Sequence, residues 1–296
     1  SPVPVEFQWR NWAADPEGIT GDGLLNFIND ELFPKLKELP IEGTNVERRR
    51  VVRSVFEDAL NYMKSGQLIR QVINKVSKID FNDLSQRSHF GEVYEQILND
   101  LQNAGNAGEY YTPRAVTQFM VDRIDPKPWE SLFDPACGTG GFLTCAMRHM
   151  REHYVKRPEQ EAEMQSGLRA VEKKPLPHML CTTNMLLHGV EDPSFVRHDN
   201  TLARPYISWG KKDHVDIVLT NPPFGGKEED GIENNFPSNF RTKETADLFL
   251  ALIIRLLKKD GRAAVVLPDG TMFGDGIKNA LKEHLLEECN LHTIVR

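Results

Sequence analysis

The chain has 296 residues, 27% of them charged and 40% hydrophobic, with a net charge of −7; that balance fits a globular fold of one large domain or two smaller ones. No run approaches the ~18 apolar residues of a membrane helix and no signal peptide is visible, so a cytoplasmic protein with no membrane contact is expected. The acidic balance argues against a broad basic surface that grips DNA unaided, so a nucleic-acid substrate would need local basic groups or a partner's grip.

Ser1 opens the sequence and I-V-R closes it in what reads as mid-strand, as in a fragment trimmed at both ends. Residues 1–20 carry Trp9, Trp12 and an Asp-Pro with no clean period, an irregular lead-in. From Gly23 to Leu39 the apolar residues fall at helical spacing, with Pro34 an expected kink or break. A second helix is predicted from Asn45 to Met63, capped by Thr44 or Asn45, with Val52, Val55, Phe56 and Leu60 inward. Its run Arg48-Arg49-Arg50 with Arg53 reads first as a solvated face and second as a phosphate contact. Further helices fit Gln67–Val76 and Phe90–Gln102, with a turn at Ser88–Gly91 feeding the second. The small-residue stretch Asn103–Gly108 marks a domain boundary, dividing an N-terminal helical domain (1–105) from a second domain (106–296).

Glu109-Tyr110-Tyr111-Thr112-Pro113-Arg114 follows. Thr112 as N-cap and Pro113 at the first helical position would open a helix to Ile124, whose start is a place for a carboxylate. Next, the apolar strand Leu132–Asp134 runs into a glycine loop, Pro135 to Gly141, and then a helix from Gly141 to His153. It is neither G-x-G-x-x-G nor a lysine-bearing phosphate loop. The pattern suits a ligand with an amino-acid end, with Asp134 facing an ammonium and glycine N–H groups a carboxylate. Residues 155–166 read as a polar insertion. A strand over Gly167–Glu172 ends in an acid placed for ribose hydroxyls. A helix spans Pro175–Leu187, and a short strand ends at Asp199, placed for an adenine amino group. His188 and His198 have no matching ligands and read as structural.

Asp216 to Thr220 is an apolar, β-branched run suited to a buried parallel strand. It meets Asn221-Pro222-Pro223-Phe224, and two prolines cannot continue a central strand. The chain must leave the sheet at its carboxyl edge, where open α/β sheets hold ligands. An Asn-Pro alone marks only a turn. The full set offers more: the Asn221 oxygen and the Pro222 carbonyl can accept the hydrogens of an exocyclic amino group, and Phe224 can stack on its ring. The segment 225–242 reads as a mobile loop over a substrate. A helix over Thr245–Lys258, a strand over Arg262–Leu267, a helix over Ile277–Glu288 and a sixth strand over Leu291–Val295 complete the pattern. The four cysteines are scattered, which suits free thiols in a reducing compartment, and no metal site is expected.

Strand–helix alternation from Asp134 predicts an α/β fold with a doubly wound, mostly parallel sheet. The order of tyrosine motif, glycine loop, two acids and N-P-P-F resembles the amino-methylating DNA methyltransferases that use S-adenosylmethionine. More closely, G-E-Y-Y-T-P-R, F-D-P-A-C-G-T-G-G-F-L, N-P-P-F-G and G-R-A-A-V-V-L-P-D-G together resemble the modification subunit of type I restriction–modification systems, over roughly Phe90 to Arg296. The resemblance implies an S-adenosylmethionine-dependent methyltransferase sheet behind a helical domain, and methylation of adenine N6 in double-stranded DNA. It implies that Glu109 to Arg114, Asp134, Ala136, Gly138, Thr139, Gly140 and Gly141 line the donor, with Glu172 at its ribose and Asp199 at its adenine. Asn221, Pro222 and Phe224 would hold the flipped target. Implied partners are a specificity subunit, a restriction subunit and a further copy of the chain. Such sheets carry a seventh strand, which this sequence stops short of. A noncatalytic scaffold, or an enzyme acting on cytosine N4 or protein glutamine, are the alternatives.

Overall fold

The computed structural model describes residues 2–42, 46–103, 112–224 and 228–296. The expected cap at Thr44 or Asn45, the boundary glycines before Glu109, and Glu109, Tyr110, Tyr111 and residues 225–227 lie outside them. Contacts gather the chain into two compact units, one of 1–98 with 174–198 and one of 99–173 with 199–296. No helix among the described residues is long and apolar enough to cross a membrane.

The first unit is mostly helical. Its core joins Leu24, Ile28, Leu32, Leu36 and Leu39 to Ile69 and Ile73, with Trp12, Val52 and Phe56 packed against them. Pro34 does not break the first helix. The segments Gly21–Asn26, Phe27–Leu32 and Phe33–Lys37 run on, and the middle one is a π-helical stretch. A wider turn there absorbs the proline, which lacks an N–H for the preceding turn. The next helix, Val46–Phe56, stops short of Met63, and Leu60 is exposed at 64%. Arg48, Arg50 and Arg53 are exposed, while Arg49 donates to the carbonyls of Pro40 and Glu42. Gly66–Val76 forms as expected, with Ser65 Oγ capping Leu68 N–H. The helix Leu84–Asn103 takes in Ser88–Gly91, where a turn was expected. His188 pairs with the Asn184 carbonyl and with Glu95, and His198 stacks on His178.

Arg70 was not singled out in the sequence, yet it ties this unit together. It is 6% exposed and donates to the carbonyls of Trp12, Ala13, Asp15 and Ile19. One guanidinium thereby satisfies acceptors that an irregular lead-in cannot pair by itself.

Among the described residues there are five strands: β1 (Leu132–Asp134), β2 (Leu168–Glu172), β3 (Val196–His198), β4 (Val215–Thr220) and β5 (Leu257–Val265). β3 falls in the first unit. The second unit holds the others, side by side as β2-β1-β4-β5 and all parallel. Val218 and Phe133 join a cluster with Leu248, Leu252 and Leu256 from the helix Thr245–Leu256. Ile217 and Leu219 are equally buried but, alternating with Val218, face the other side. The helix Arg114–Ile124 packs on β4 and β5 and on the helix Gly141–His153. The sheet is thus covered on both faces, as a doubly wound fold requires.

Within the polar stretch 155–166, Pro158–Gly167 is a helix, and the Gln160 side chain accepts from the N–H groups of Lys156 and Arg157 at its start. Three expectations change here. The helix that begins at Thr245 ends at Leu256, and β5 starts at once. Pairing then slips between Val215 and Ile217, and Asp260 takes a φ of 65° in the resulting bulge. Leu291–Val295 forms no strand; it is exposed, with no neighbouring ladder among the described residues. The segment 228–242 is anchored, because Phe236 and Phe240 are buried beside Tyr206.

At the amino edge of the sheet, Ser131 donates from its N–H and hydroxyl to Asp216 Oδ2 at 2.8 and 2.6 Å, and Lys258 joins at 2.7 Å. Burial alone would raise the Asp216 carboxyl, but Lys258 and Ser131 outweigh it and hold it at about 2. Arg262 grips Glu130 through two 2.8 Å bonds. These clamps fix the starts of β1, β4 and β5, and so the height at which their far ends emerge.

Candidate active site at the carboxyl edge of the sheet

β1 has β2 on one side and β4 on the other, so strand order reverses between β1 and β4. That switch point is where an open α/β sheet leaves a crevice beyond its carboxyl ends. The two segments that leave the sheet there are the glycine loop after β1 and Asn221–Phe224 after β4.

The glycine loop is shaped by its own backbone. Gly138 and Gly140 have φ of 54° and 85°, a region open to glycine at little cost. Gly138 N–H donates to Glu172 Oε2 at 2.9 Å, and Gly140 N–H to the Cys137 carbonyl at 2.8 Å. Both N–H groups thus bond within the protein, Gly138 to the Glu172 carboxylate, and hold the loop in shape. A Cβ built on Gly138 or Gly141 would meet nothing within 4 Å. The absent side chains leave open room beside the loop. Thr139 and Ala136 are partly buried, and Gly140 takes the N-cap position of the helix Gly141–His153.

Asp134 ends β1 at 1% exposure. Burial pushes its carboxyl up to about 7 and the neighbouring Glu172 charge adds to the rise, while the Thr220 hydroxyl and the Ala136 N–H oppose it. Glu172 ends β2 and is buried. Asp199 is exposed but fixed: its N–H donates to the Glu172 carbonyl at 3.1 Å, and its Oδ1 accepts from Asn200 N–H at 2.8 Å. The structure thus gathers Asp134, Gly138, Glu172 and Asp199 along adjoining tips.

Sequence reasoning missed the residues that bind these tips together. Thr201 Oγ1 donates to the Pro135 carbonyl at 2.6 Å. Glu228 accepts from Asn200 Nδ2 at 3.2 Å and pairs with Lys173 at 3.1 Å. Their signal was slight, since each sits in a run of polar residues that reads as solvated surface.

On the other side of the switch point, Asn221 is half-buried, Pro222 buried, and Phe224 half-buried. Thr112 does not cap the helix Arg114–Ile124; the N-cap position is Pro113, with no side-chain bond. The Thr112 hydroxyl instead accepts from Asn221 Nδ2 at 2.8 Å. Pro113 and Arg114 are exposed at the helix start. β1 and β4 pair directly, so the two halves of the site leave the sheet from neighbouring strands. Among the described residues no cluster of three or more His, Cys, Asp or Glu is placed to hold a metal.

The sequence pattern of the family described as N-6 DNA Methylase matches residues 85–296. The chain belongs to that family. It is 62% identical to the type I restriction enzyme EcoEI methylase subunit of Escherichia coli, over all of this chain and 60% of that protein. It is 28% identical to the EcoKI methylase subunit of strain K12, over 95% of this chain and 55% of that one. A solved chain from work on complex assembly and conformational transition of the type I restriction–modification system superposes with a TM-score of 0.86, at 36% identity, over 96% of this chain and 57% of that chain. A modification subunit assigned to a type I restriction enzyme of Vibrio vulnificus superposes at 0.80 with 43% identity, over 96% and 63%. The chain thus spans less than two thirds of the length of each of these four proteins. The sheet is the one shared by type I modification subunits and S-adenosylmethionine-dependent methyltransferases.

Proposed function

We propose that this chain carries the catalytic part of a type I modification subunit and transfers a methyl group from S-adenosylmethionine to N6 of an adenine flipped out of double-stranded DNA. The observation that carries the reading is the convergence of the glycine loop and Asn221-Pro222-Pro223-Phe224 on one switch point, where β1 and β4 pair side by side. The open room over Gly138 and Gly141 and the buried acid at the end of β1 fit a donor with an amino-acid end. When bound, S-adenosylmethionine supplies an electrophilic methyl on a sulfonium.

Asp134 would pair with the donor's ammonium, Glu172 with its ribose and Asp199 with its adenine edge. Ala136, Thr139, Gly140 and Gly141 would line it, and Pro113 and Arg114, with the preceding tyrosine motif, would close its methionine end. The Asn221 oxygen and the Pro222 carbonyl would accept both amino hydrogens of the target, and Phe224 would stack on its ring. Drawing the hydrogens toward acceptors turns the amino nitrogen toward tetrahedral geometry and frees its lone pair. The donor would supply the methyl, and the target nitrogen, its hydrogens held by Asn221 and Pro222, would accept it and shed one proton to solvent as the sulfonium becomes a neutral thioether.

The same reading gives the chain a helical domain over 1–105 and a methyltransferase domain over 106–296. It also gives it specificity and restriction subunits and a further copy as partners in the cytoplasm. A net charge of −7 agrees with a DNA grip supplied largely by those partners. Asn221→Ala in the intact subunit, assembled with its partners, should lower methyl transfer to adenine by roughly 10²-fold or more, the scale of losing one preorganised hydrogen-bonding group. Donor affinity by calorimetry should stay near that of the unaltered protein. Normal turnover would remove Asn221 from the chemistry, and the reading with it.

A further inference from the structure

Asn221 and Thr112 lie 109 positions apart in the sequence, yet Asn221 Nδ2 donates to Thr112 Oγ1 at 2.8 Å. Both ends of this bond sit on stiff backbone. Thr112 leads into Pro113, whose φ is −54° and whose carbonyl accepts from the N–H groups of Val116 and Thr117 at 2.8 and 3.0 Å. Asn221 follows the last residue of β4 and precedes two prolines, the first of them buried. Neither anchor can drift without disturbing a helix or a strand. The Thr112 hydroxyl is also not engaged in helix capping, the role its sequence context predicts.

An amide used as an acceptor must be held in place before the target arrives, because each freely rotating side chain that is ordered on binding costs free energy. A hydroxyl can serve either end of an amide, so the bond fixes where the group sits. The N–H donors of a target amino group then select the oxygen end, since N–H facing N–H is repulsive. Building on the methyl-transfer reading above, we infer that Thr112 is a positioning residue: its hydroxyl holds the Asn221 carboxamide where it can accept from the target amino group. The segment that closes the donor's end thereby also sets the acceptor's geometry. Chemistry depends on the Thr112 hydroxyl more strongly than donor binding does.

Thr112→Val keeps the shape and removes the hydrogen bond, whereas Thr112→Ser keeps the hydroxyl. Both are made in the intact subunit with its partners, on duplex DNA carrying unmodified sites and with isotope-labelled S-adenosylmethionine. Single-turnover transfer should fall about tenfold in Thr112→Val, the rate equivalent of one hydrogen bond, and return to within about threefold in Thr112→Ser. Because Thr112 also lies in the segment that closes the donor's end, donor affinity by calorimetry should weaken, but by no more than about threefold in Thr112→Val against the tenfold loss of rate, and measurable donor binding also shows that each variant is folded. An unchanged rate in Thr112→Val overturns the inference, and so does a loss matched by an equal loss of donor affinity, or a serine variant as slow as valine. Asn221→Ala separates the levels: full activity there removes the methyl-transfer reading, while an inactive Asn221→Ala beside a fully active Thr112→Val removes only the role given to Thr112.

Discussion

Asp134 offers the sharpest use of pH. Its carboxyl ends β1 at 1% exposure, and burial lifts it from an ordinary value near 3.8 to about 7. The folded, ligand-free protein therefore holds this proton far more tightly than the unfolded chain does. For an acid shifted upward, its contribution favours folding most below pH ~4 and is lost as pH rises through about 7. A donor ammonium pairs only with the ionised form. At pH 6 about one carboxyl in ten is ionised and at pH 8 about nine in ten, so S-adenosylmethionine affinity should strengthen by about tenfold over that interval. Near pH 7 binding should release roughly half a proton. Isothermal titration at pH 6, 7 and 8, each in two buffers of different ionisation enthalpy, measures both quantities. Asp134→Asn should abolish the pH slope and weaken binding at pH 8, while raising the thermal midpoint of the ligand-free protein above pH 7. A flat affinity profile with no proton exchange would falsify the placement of the ammonium at Asp134.

Two further substitutions test the frame around the site. Arg70→Met fills the same space with an apolar chain but strands the carbonyls of Trp12, Ala13, Asp15 and Ile19 that Arg70 now serves; denaturant titration should show a loss on the order of 3 kcal/mol, and a midpoint within error of the parent would contradict the hub. Gly261→Ala should cost about 1–3 kcal/mol, because its Cβ would come within 2.9 Å of the Lys258 carbonyl and 3.1 Å of the Asp216 carbonyl, both backbone; an unaltered unfolding midpoint would mean that the bulge before Arg262 can relax.

The sequence revealed most where one periodicity or one chemical conflict dominated. The helices Gly141–His153, Pro175–Leu187 and Ile277–Glu288 match their predicted bounds, because an uninterrupted apolar stripe leaves no competing fold. Asn221-Pro222-Pro223 forced the chain off β4, since prolines cannot supply ladder N–H groups. Interactions that depend on distant residues were harder to see. Thr112 reads locally as a cap, but a partner 109 positions away takes its hydroxyl. Asp216 looks like the start of a strand, and only the sheet brings Ser131 and Lys258 to it. Leu291–Val295 has strand composition, yet composition cannot create a ladder partner. Pro34 reads as a break, yet the helix runs on through it, because the π-helical turn that accommodates it has no sequence signature of its own.

The parallel pairing of β1 with β4 sets the order in which the molecule can assemble. Ser131 and Asp216 stand 85 positions apart, with β2 and β3 formed from the chain between them. A growing polypeptide therefore completes its glycine turn and helix long before the strand that shares the crevice has been synthesised. Until then β1 has one open side, a hydrophobic edge able to pair with the wrong neighbour. Closing so long a connection is slow compared with helix growth. The geometry of the crevice should thus be among the last features acquired, and the half-made sheet is the stage at which chaperones would matter most.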